Sequence, residues 1–167
     1  MSTALFPNKD ILILGESDIT LLHELASDDP LGRARICMHK SRNDNIQEML
    51  ILLKNKSYLK PHRNVKFSKS YCVLLGKVAL VIFNDAGNIT EFIELGCDAA
   101  GMNMICRLNV NVWHTLVSLS DYSVFIETNG GPYIQNESEY ADWAPTESDS
   151  HGIALFFEQC KKSSSSK

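Results

Sequence analysis

Histidine, lysine and glutamate residues near strand-like segments are the best candidates for chemistry in this sequence. His114 directly follows Trp113 within the apolar stretch 112–119. Because neighbouring side chains on a strand point to opposite faces, we expect His114 to face the interior if Trp113 packs outside. A neutral imidazole in such a place transfers protons well near neutral pH. A lone histidine on a strand also fits a simple packing role, which stays open at this point.

Glu127 is a second candidate, at the end of the apolar segment 122–126. Alternation along the strand places it on the same face as Phe125 and Ser123. Its carboxylate can therefore line the interior and pair with a lysine or an arginine, or it can be solvated at the strand end. Both interpretations stay open.

Four further residues are candidates for contact with a ligand: Arg33, Arg35, His39 and Tyr133. Guanidinium groups bind phosphates and carboxylates through paired hydrogen bonds. Surface arginines nevertheless more often lie in water, so both interpretations stay open. The tyrosine follows the turn 130–132 and either covers the opening of a cavity or packs locally.

The segments that would position these residues have the spacing of strands and turns that is typical of an all-β fold. After residue 46, short runs rich in Val, Ile, Leu and Phe alternate with polar or glycine-containing turns about every 8–12 residues. We expect strands near 34–39, 46–53, 56–60, 71–76, 77–83, 89–95, 103–108, 112–119 and 122–128. The segment 78–83 is apolar on both faces, which predicts an interior strand with its antiparallel partner after the turn 84–88.

Helices are predicted at the two ends of the chain. Ser17 and Asp18 precede helical apolar spacing and Pro30 follows it, while residues 153–162 suit a short terminal helix. Beyond residue 132 the strand pattern is lost, and we expect the serine-rich stretch 163–166 to be disordered. The predicted organisation is an N-terminal helical segment (1–32), a β-barrel domain (33–147) and a C-terminal helix with a polar tail (148–167).

Two short motifs resemble those of the cupin superfamily. SYLKPHRN at 57–64 with KSYCVLLG at 69–76 is similar to the first cupin motif, and LNVNVWHT at 108–115 is similar to the second. From 33 to 147 the chain resembles the WbuC family of cupin-fold proteins. The resemblance rests on short motifs at 33–39, 43–50, 61–63, 112–115, 124–127, 131–133 and 143–145. The resemblance implies a jelly-roll β-barrel. It also implies a link to gene clusters for lipopolysaccharide O-antigen synthesis.

The first motif departs from the pattern of a metal-binding cupin. The resemblance implies two histidines and a glutamate from the first motif and one histidine from the second. His62 and His114 stand at the first and last of these positions, but Asn64 replaces a histidine and Lys69 replaces the glutamate. An ammonium repels a divalent cation, and an amide is a poor substitute for imidazole. The expected cofactor is therefore none, or a weakly held divalent transition metal at His62 and His114.

Lys69 has two interpretations. If it points inward, its ammonium replaces the charge of the metal and favours an anionic or carbonyl-bearing ligand. If it turns outward, it is solvated and the site is inactive. In the second motif, Asn109 and Asn111 stand where Pro and Gly are usual. Because Asn tolerates left-handed backbone, we expect this turn to persist.

Three functions stay open, and whether the protein is an enzyme stays open with them. The first is a role in surface-polysaccharide or nucleotide-sugar metabolism, with isomerase- or epimerase-like proton transfer by His62 and His114 and oxyanion stabilisation by Lys69. The second is a non-catalytic module that binds a saccharide or small carboxylate. The third is a metal-dependent enzyme that uses His62 and His114. The candidate ligand-binding residues are Asn64, Arg35, His39, Glu127 and Tyr133.

The composition limits the kinds of binding partner and the cellular compartment that we expect. With 16 Lys and Arg against 20 Asp and Glu, the net charge of −4 speaks against a nucleic-acid partner. No apolar run is long enough for a membrane span, and the five cysteines show no CxxC spacing, which predicts a cytoplasmic protein without a disulfide framework. The expected partner is a small sugar-like or anionic molecule, and the resemblance leaves a homodimer open.

Overall fold

Eleven strands and two helices follow one another in the computed structural model, which describes residues 3–97, 100–135 and 137–164. They are β1 (Ala4–Leu5), α1 (Glu16–Asp28), β2 (Arg33–Cys37), β3 (Ile46–Lys54), β4 (His62–Asn64), β5 (Lys69–Leu75), β6 (Lys77–Phe83), β7 (Ile89–Gly96), β8 (Ile105–Leu108), β9 (Trp113–Ser118), β10 (Tyr122–Gly130), β11 (Ser138–Tyr140) and α2 (Ser150–Ser164).

The strands form two sheets. The first has the order β1-β2-β3-β10-β5-β8, and the second has the order β11-β4-β9-β6-β7. Neighbouring strands are antiparallel except β1 and β2, which are parallel. Alternate side chains of both sheets meet in a shared core that includes Val73, Leu80, Leu116 and Phe125. This all-β architecture confirms the predicted fold class.

The apolar strand β6 lies inside the second sheet, between β9 and β7, as its sequence predicts. Val78 and Leu80 face the shared core, whereas Val81 and Phe83 face a second cluster on the outer side of the sheet. Helix α2 covers that outer side with Phe156. Both faces of β6 are therefore buried, which explains why its sequence lacks polar alternation.

Helix α1 covers the outer side of the first sheet, where Leu22 and Ala26 pack on β2, β3 and β10. Its predicted start at Ser17 is slightly wrong, because Gly15 is the N-cap. The Gly15 N–H donates to Asp18 Oδ2 at 2.8 Å, which satisfies one free donor of the first turn. The acidic first turn also suits the positive end of the helix dipole.

The predicted strand at 56–60 is wrong, since β4 begins only at His62. The reason is that backbone groups of this segment form other hydrogen bonds. The Ser57 N–H donates to the carbonyl of Lys54 at 3.0 Å in a turn, and the carbonyl of Leu59 accepts from Thr115 Oγ1 at 2.6 Å. The expected loss of strands beyond residue 132 is also wrong, because β11 pairs with β4.

Helix α2 extends to Ser164, and the rest of the predicted disordered stretch lies outside the described residues. No helix within the described residues is long and apolar enough to cross a membrane. All five cysteines lie in the described part of the chain, and none of them forms a disulfide there.

Candidate functional site

Four strands bring the predicted chemistry together between the sheets. His62 on β4 lies directly opposite His114 on β9, with ring centroids 4.5 Å apart. Lys69 and Tyr71 share one face of β5, and Glu127 on β10 lies opposite Tyr71. We call these five residues the polar cluster. They come from both sheets, so their arrangement depends on the complete barrel.

Hydrogen bonds to backbone carbonyls fix the tautomer of both histidines. His62 Nδ1 lies 3.2 Å from the carbonyl oxygen of Lys60, and His114 Nδ1 lies 2.9 Å from that of Val112. A carbonyl only accepts, so each Nδ1 carries the hydrogen and each Nε2 keeps a lone pair. His114 Nε2 accepts from the Tyr71 hydroxyl at 3.2 Å. Both imidazoles thus present an acceptor to the interior.

Lys69 points inward, so the solvated interpretation is wrong. The residue is 4% exposed. Its Nζ donates to His62 Nε2 at 3.3 Å and to Glu127 Oε1 at 3.4 Å. The Glu127 carboxylate also accepts from Asn129 Nδ2 at 2.7 Å. Of the two interpretations of Glu127, the structure shows the one in which its carboxylate faces the interior and pairs with a lysine. The ammonium bridges one residue from each sheet.

Burial sets the charge states of the polar cluster. It lowers the pKa of His62 to about 3, with a further contribution from the charge of Lys69. It lowers the pKa of His114 to about 3 as well, helped by His62 and Lys69. Burial alone would raise the pKa of Glu127, but Lys69 and Asn129 hold it below its usual value. At neutral pH the cluster therefore holds two neutral imidazoles, one ammonium and one carboxylate.

Tyr71 completes the cluster as a neutral hydroxyl. It is 2% exposed, and burial raises the pKa of its phenol well above the usual value. The hydroxyl therefore keeps its proton and donates it to His114 Nε2. Its ring also lies under the Lys69 ammonium, 5.8 Å from Nζ, which adds a cation–π contact.

Two buried amide oxygens beside the cluster have no hydrogen-bond donor among the described residues: Asn64 Oδ1 and Asn129 Oδ1. The Asn64 amide nitrogen faces the carboxylate of Glu137 at 3.4 Å. Leaving a buried acceptor unpaired is costly, so these oxygens favour a ligand that carries donors.

The turn of the second motif persists, as predicted. Asn111 adopts a left-handed backbone with φ of 63°. Its N–H donates to the carbonyl of Asn64 at 2.8 Å. The asparagine therefore fulfils the conformational role of a glycine and ties the second motif to the first.

The donor set does not fit a transition metal. Lys69 Nζ lies within hydrogen-bond distance of the His62 nitrogen that would coordinate the ion. The corresponding nitrogen of His114 is engaged by the Tyr71 hydroxyl. Among the described residues, no group of three His, Cys, Asp or Glu side chains is placed to hold a metal. A divalent ion would have to displace a buried cation, which electrostatics opposes.

The remaining predicted residues lie elsewhere. Arg33 pairs with Glu147 at 3.2 Å. Arg35 is exposed on β2. The other two have contacts of their own: His39 Nδ1 bonds to the Glu48 backbone, and Tyr133 is exposed beneath the Arg42 guanidinium. The structure does not bring Arg35, His39 and Tyr133 into the polar cluster.

Sequence reasoning missed Tyr71 and Asn129. Strand alternation contains the signal for both, since Tyr71 lies two residues after Lys69 and Asn129 lies two residues after Glu127. Glu137 had no such signal, because its approach to Asn64 depends on β11, which the sequence pattern does not reveal.

One family model matches part of the sequence. A family model described as a domain of unknown function, DUF6016, matches residues 14–95, slightly less than half of the chain. No curated protein matches the sequence.

Several solved structures are similar. One is a sugar phosphate isomerase of the cupin superfamily from Silicibacter pomeroyi, with 13% identity, a TM-score of 0.50, and coverage of 67% of this chain and 67% of that chain. Another is an uncharacterised double-stranded β-helix protein from Klebsiella pneumoniae, with 9% identity, a TM-score of 0.50, and coverage of 66% and 80%. A Shewanella oneidensis protein has 15% identity and a TM-score of 0.49, and the match covers 59% of this chain and 63% of that one, less than two thirds of its length. With two packed sheets and a helix at each end, the chain has the cupin fold, a jelly-roll β-barrel.

Proposed function

We propose that this protein binds a small hydroxyl-rich molecule of the saccharide class at the polar cluster, without a metal. The observation that carries the proposal is the buried Lys69 ammonium, held between His62 Nε2 and Glu127 Oε1. It supplies a fixed cation where metal-dependent cupins are expected to hold an ion. The WbuC resemblance supports a setting in surface-polysaccharide or nucleotide-sugar metabolism.

The hydrogen-bonding inventory supports a hydroxylated ligand. Asn64 Oδ1 and Asn129 Oδ1 are buried acceptors that lack donors among the described residues. Sugar hydroxyls donate to such oxygens and accept from an ammonium in return. A ligand of this class would therefore satisfy the unpaired amide oxygens and place an oxygen near Lys69 Nζ.

Exposure indicates the side from which a ligand arrives. His114 and Tyr71 are almost fully buried, whereas His62 is half-buried and the Glu127 side chain is 15% exposed. A molecule entering the barrel would thus meet His62 and Glu127 first. The Lys69 ammonium lies between these two groups, so it is the natural first contact for an oxygen of the ligand.

A ligand panel tests the proposal. We expect glucose, glucuronate or UDP-glucose to raise the melting midpoint by ~3–5 °C at roughly ten times its dissociation constant. The shift should disappear in Asn64→Ala, which removes one unpaired acceptor, and should persist in the control Asn109→Ala, an exposed turn residue. A panel without any shift, or an equal shift in Asn64→Ala, would contradict saccharide binding at this site.

A second candidate function is isomerase- or epimerase-like proton transfer. The 3.3 Å contact between Lys69 Nζ and His62 Nε2 favours it, because a proton can pass along an existing hydrogen bond. The pKa of about 3 makes His62 a weak base, which is why binding is the leading proposal. Deuterium uptake at a carbon atom of a bound sugar in heavy water, lost in His62→Gln, would establish catalysis; a sugar that binds without exchange at carbon would exclude it.

The proposal includes a homodimer and a cytoplasmic location. Strand β8 forms an edge of the first sheet, and Met104, Ile105 and neighbouring Leu74 are exposed there. Sedimentation equilibrium tests dimer formation, which a monomer at micromolar concentration would contradict. Five cysteines without a disulfide favour a reducing compartment, and recovery of the protein outside the cytosolic fraction of its host cell would contradict that location.

A further inference from the structure

Tyr140 on strand β11 adjoins the polar cluster. In the register of the second sheet it lies opposite His62, and His62 lies opposite His114 on the next strand. Side chains at paired positions point to the same face of a sheet, so Tyr140 shares a face with the two histidines. The three rings form a row. The ring centres are 4.5 Å apart for the two histidines and 5.8 Å apart for His62 and Tyr140.

Exposure to solvent rises along this row of rings. His114 is 1% exposed, His62 is half-buried, and Tyr140 is 60% exposed. Strand β11 lies at the edge of the second sheet, which leaves the far side of Tyr140 without a covering strand among the described residues. The row therefore leads from solvent at Tyr140 to the buried end of the polar cluster at His114.

Two of the polar groups that a saccharide would contact adjoin the middle of the row. Asn64, whose amide oxygen Oδ1 is unpaired among the described residues, follows His62 by two residues on the same face of β4. Lys69 Nζ lies 3.3 Å from His62 Nε2. A ligand that donates to Asn64 and accepts from Lys69 would therefore lie against His62, within reach of the Tyr140 ring.

An exposed tyrosine ring at this place suits a sugar in its cyclic form. A pyranose presents hydroxyl groups around its rim and a patch of C–H groups on its face, whereas an open-chain polyol has no lasting flat apolar face. The face of an aromatic ring carries partial negative charge, so it attracts the slightly positive hydrogen atoms of C–H groups. Small-molecule sites commonly combine such an aromatic wall with a few directed polar groups.

We propose that Tyr140 stacks on the pyranose ring of the ligand and thereby selects cyclic sugars over open-chain polyols. This inference rests on the proposed saccharide binding at the polar cluster and narrows it to the cyclic form. The competing role for Tyr140 is to hold β11 against β4 through its contact with His62. Loss of such packing would change the affinity for both forms by the same factor, so the ratio of the two affinities distinguishes the roles.

Calorimetric titration with two matched pairs measures this ratio: glucose against sorbitol, and glucuronate against gluconate. We expect the wild type to prefer the cyclic member, and Tyr140→Ala to reduce that preference about threefold to tenfold. Tyr140→Leu keeps an apolar side chain on β11 without an aromatic face and should behave in the same way, whereas Tyr140→Phe should keep the preference. The control Tyr133→Ala removes a tyrosine that is 56% exposed outside the polar cluster and should leave the preference unchanged.

Equal binding of the cyclic and open-chain members by the wild type, with both lost in Asn64→Ala, would overturn the stacking role of Tyr140 and leave saccharide binding standing. A preference that Tyr140→Leu does not reduce, or that Tyr133→Ala reduces as strongly, would also overturn it. If none of the four molecules binds, the stacking inference fails, and the UDP-glucose arm of the ligand panel decides whether saccharide binding fails with it.

Discussion

Between about pH 6 and pH 4, we expect the free energy of unfolding to fall by about 2.7 kcal/mol for each pH unit. The cause is the buried imidazole pair, because the pKa values of His62 and His114 drop from 6.5 to about 3 on folding. In this window the unfolded chain binds a proton at each histidine and the folded chain does not. Each site therefore contributes about 1.4 kcal/mol per pH unit, and acid favours unfolding.

The sign and the range of this effect follow from the depressed pKa values. The contribution is complete above pH 6.5 and is lost as the pH falls toward 3. Glu127 adds to the loss at lower pH, because its pKa in the folded protein is also below the usual value of 4.5. Protonation of its carboxylate would weaken the contact with Lys69, so all three groups oppose folding in acid.

Urea unfolding at a series of pH values measures the slope. The variant His62→Gln removes one of the two histidines that take up a proton on unfolding, so it should reduce the slope of stability against pH by about half. The matched control is His151→Gln, since His151 is exposed at the start of α2 and should leave the slope unchanged. A stability that is flat across this window, or a slope that His62→Gln does not reduce, would contradict buried neutral imidazoles.

Replacing Lys69 by methionine is expected to cost about 3–5 kcal/mol of stability. Methionine keeps an unbranched side chain of similar length but removes the ammonium. The Glu127 carboxylate, 15% exposed, is then left charged without its partner, and His62 Nε2 loses its donor. The loss should appear as a lower denaturation midpoint at neutral pH, with little change in the slope of unfolding against urea.

Two further variants identify the cause of that loss. Lys56→Met removes an exposed lysine from a turn and should change stability by less than about 0.5 kcal/mol. The double variant Lys69→Met with Glu127→Gln removes both charges and should recover more than half of the loss. Equal stability of Lys69→Met and Lys56→Met would show that the buried ion pair does not operate as described.

Strand alternation predicted much of the site. It predicts that His114 faces the interior if Trp113 packs outside, and it allows Glu127 to line the interior, where Lys69 also lies. The inward direction of Lys69 was one of two open interpretations, because a long side chain can reach water from many strand positions. The inward direction of the side chain depends on its contacts with Glu127 and His62, which lie 58 and 7 residues away in sequence.

Other features depend on tertiary contacts that leave no local pattern. The segment 56–60 has strand-like residues, yet the Ser57 N–H bonds to the Lys54 carbonyl in a turn, and the Thr115 hydroxyl bonds to the Leu59 carbonyl. Strand β11 has three residues and exists because β4 lies beside it.

Metal binding tests most directly whether the Lys69 ammonium has taken the place of a metal ion. Equilibrium dialysis of the wild type against Zn²⁺, Ni²⁺, Mn²⁺ and Fe²⁺, followed by elemental analysis, should find far less than a stoichiometric amount. The variant Lys69→Glu removes the cation and adds a carboxylate beside His62, His114 and Glu127, so it should gain close to a stoichiometric amount. Near-stoichiometric metal in the wild type, lost in His62→Gln, would contradict a metal-free polar cluster.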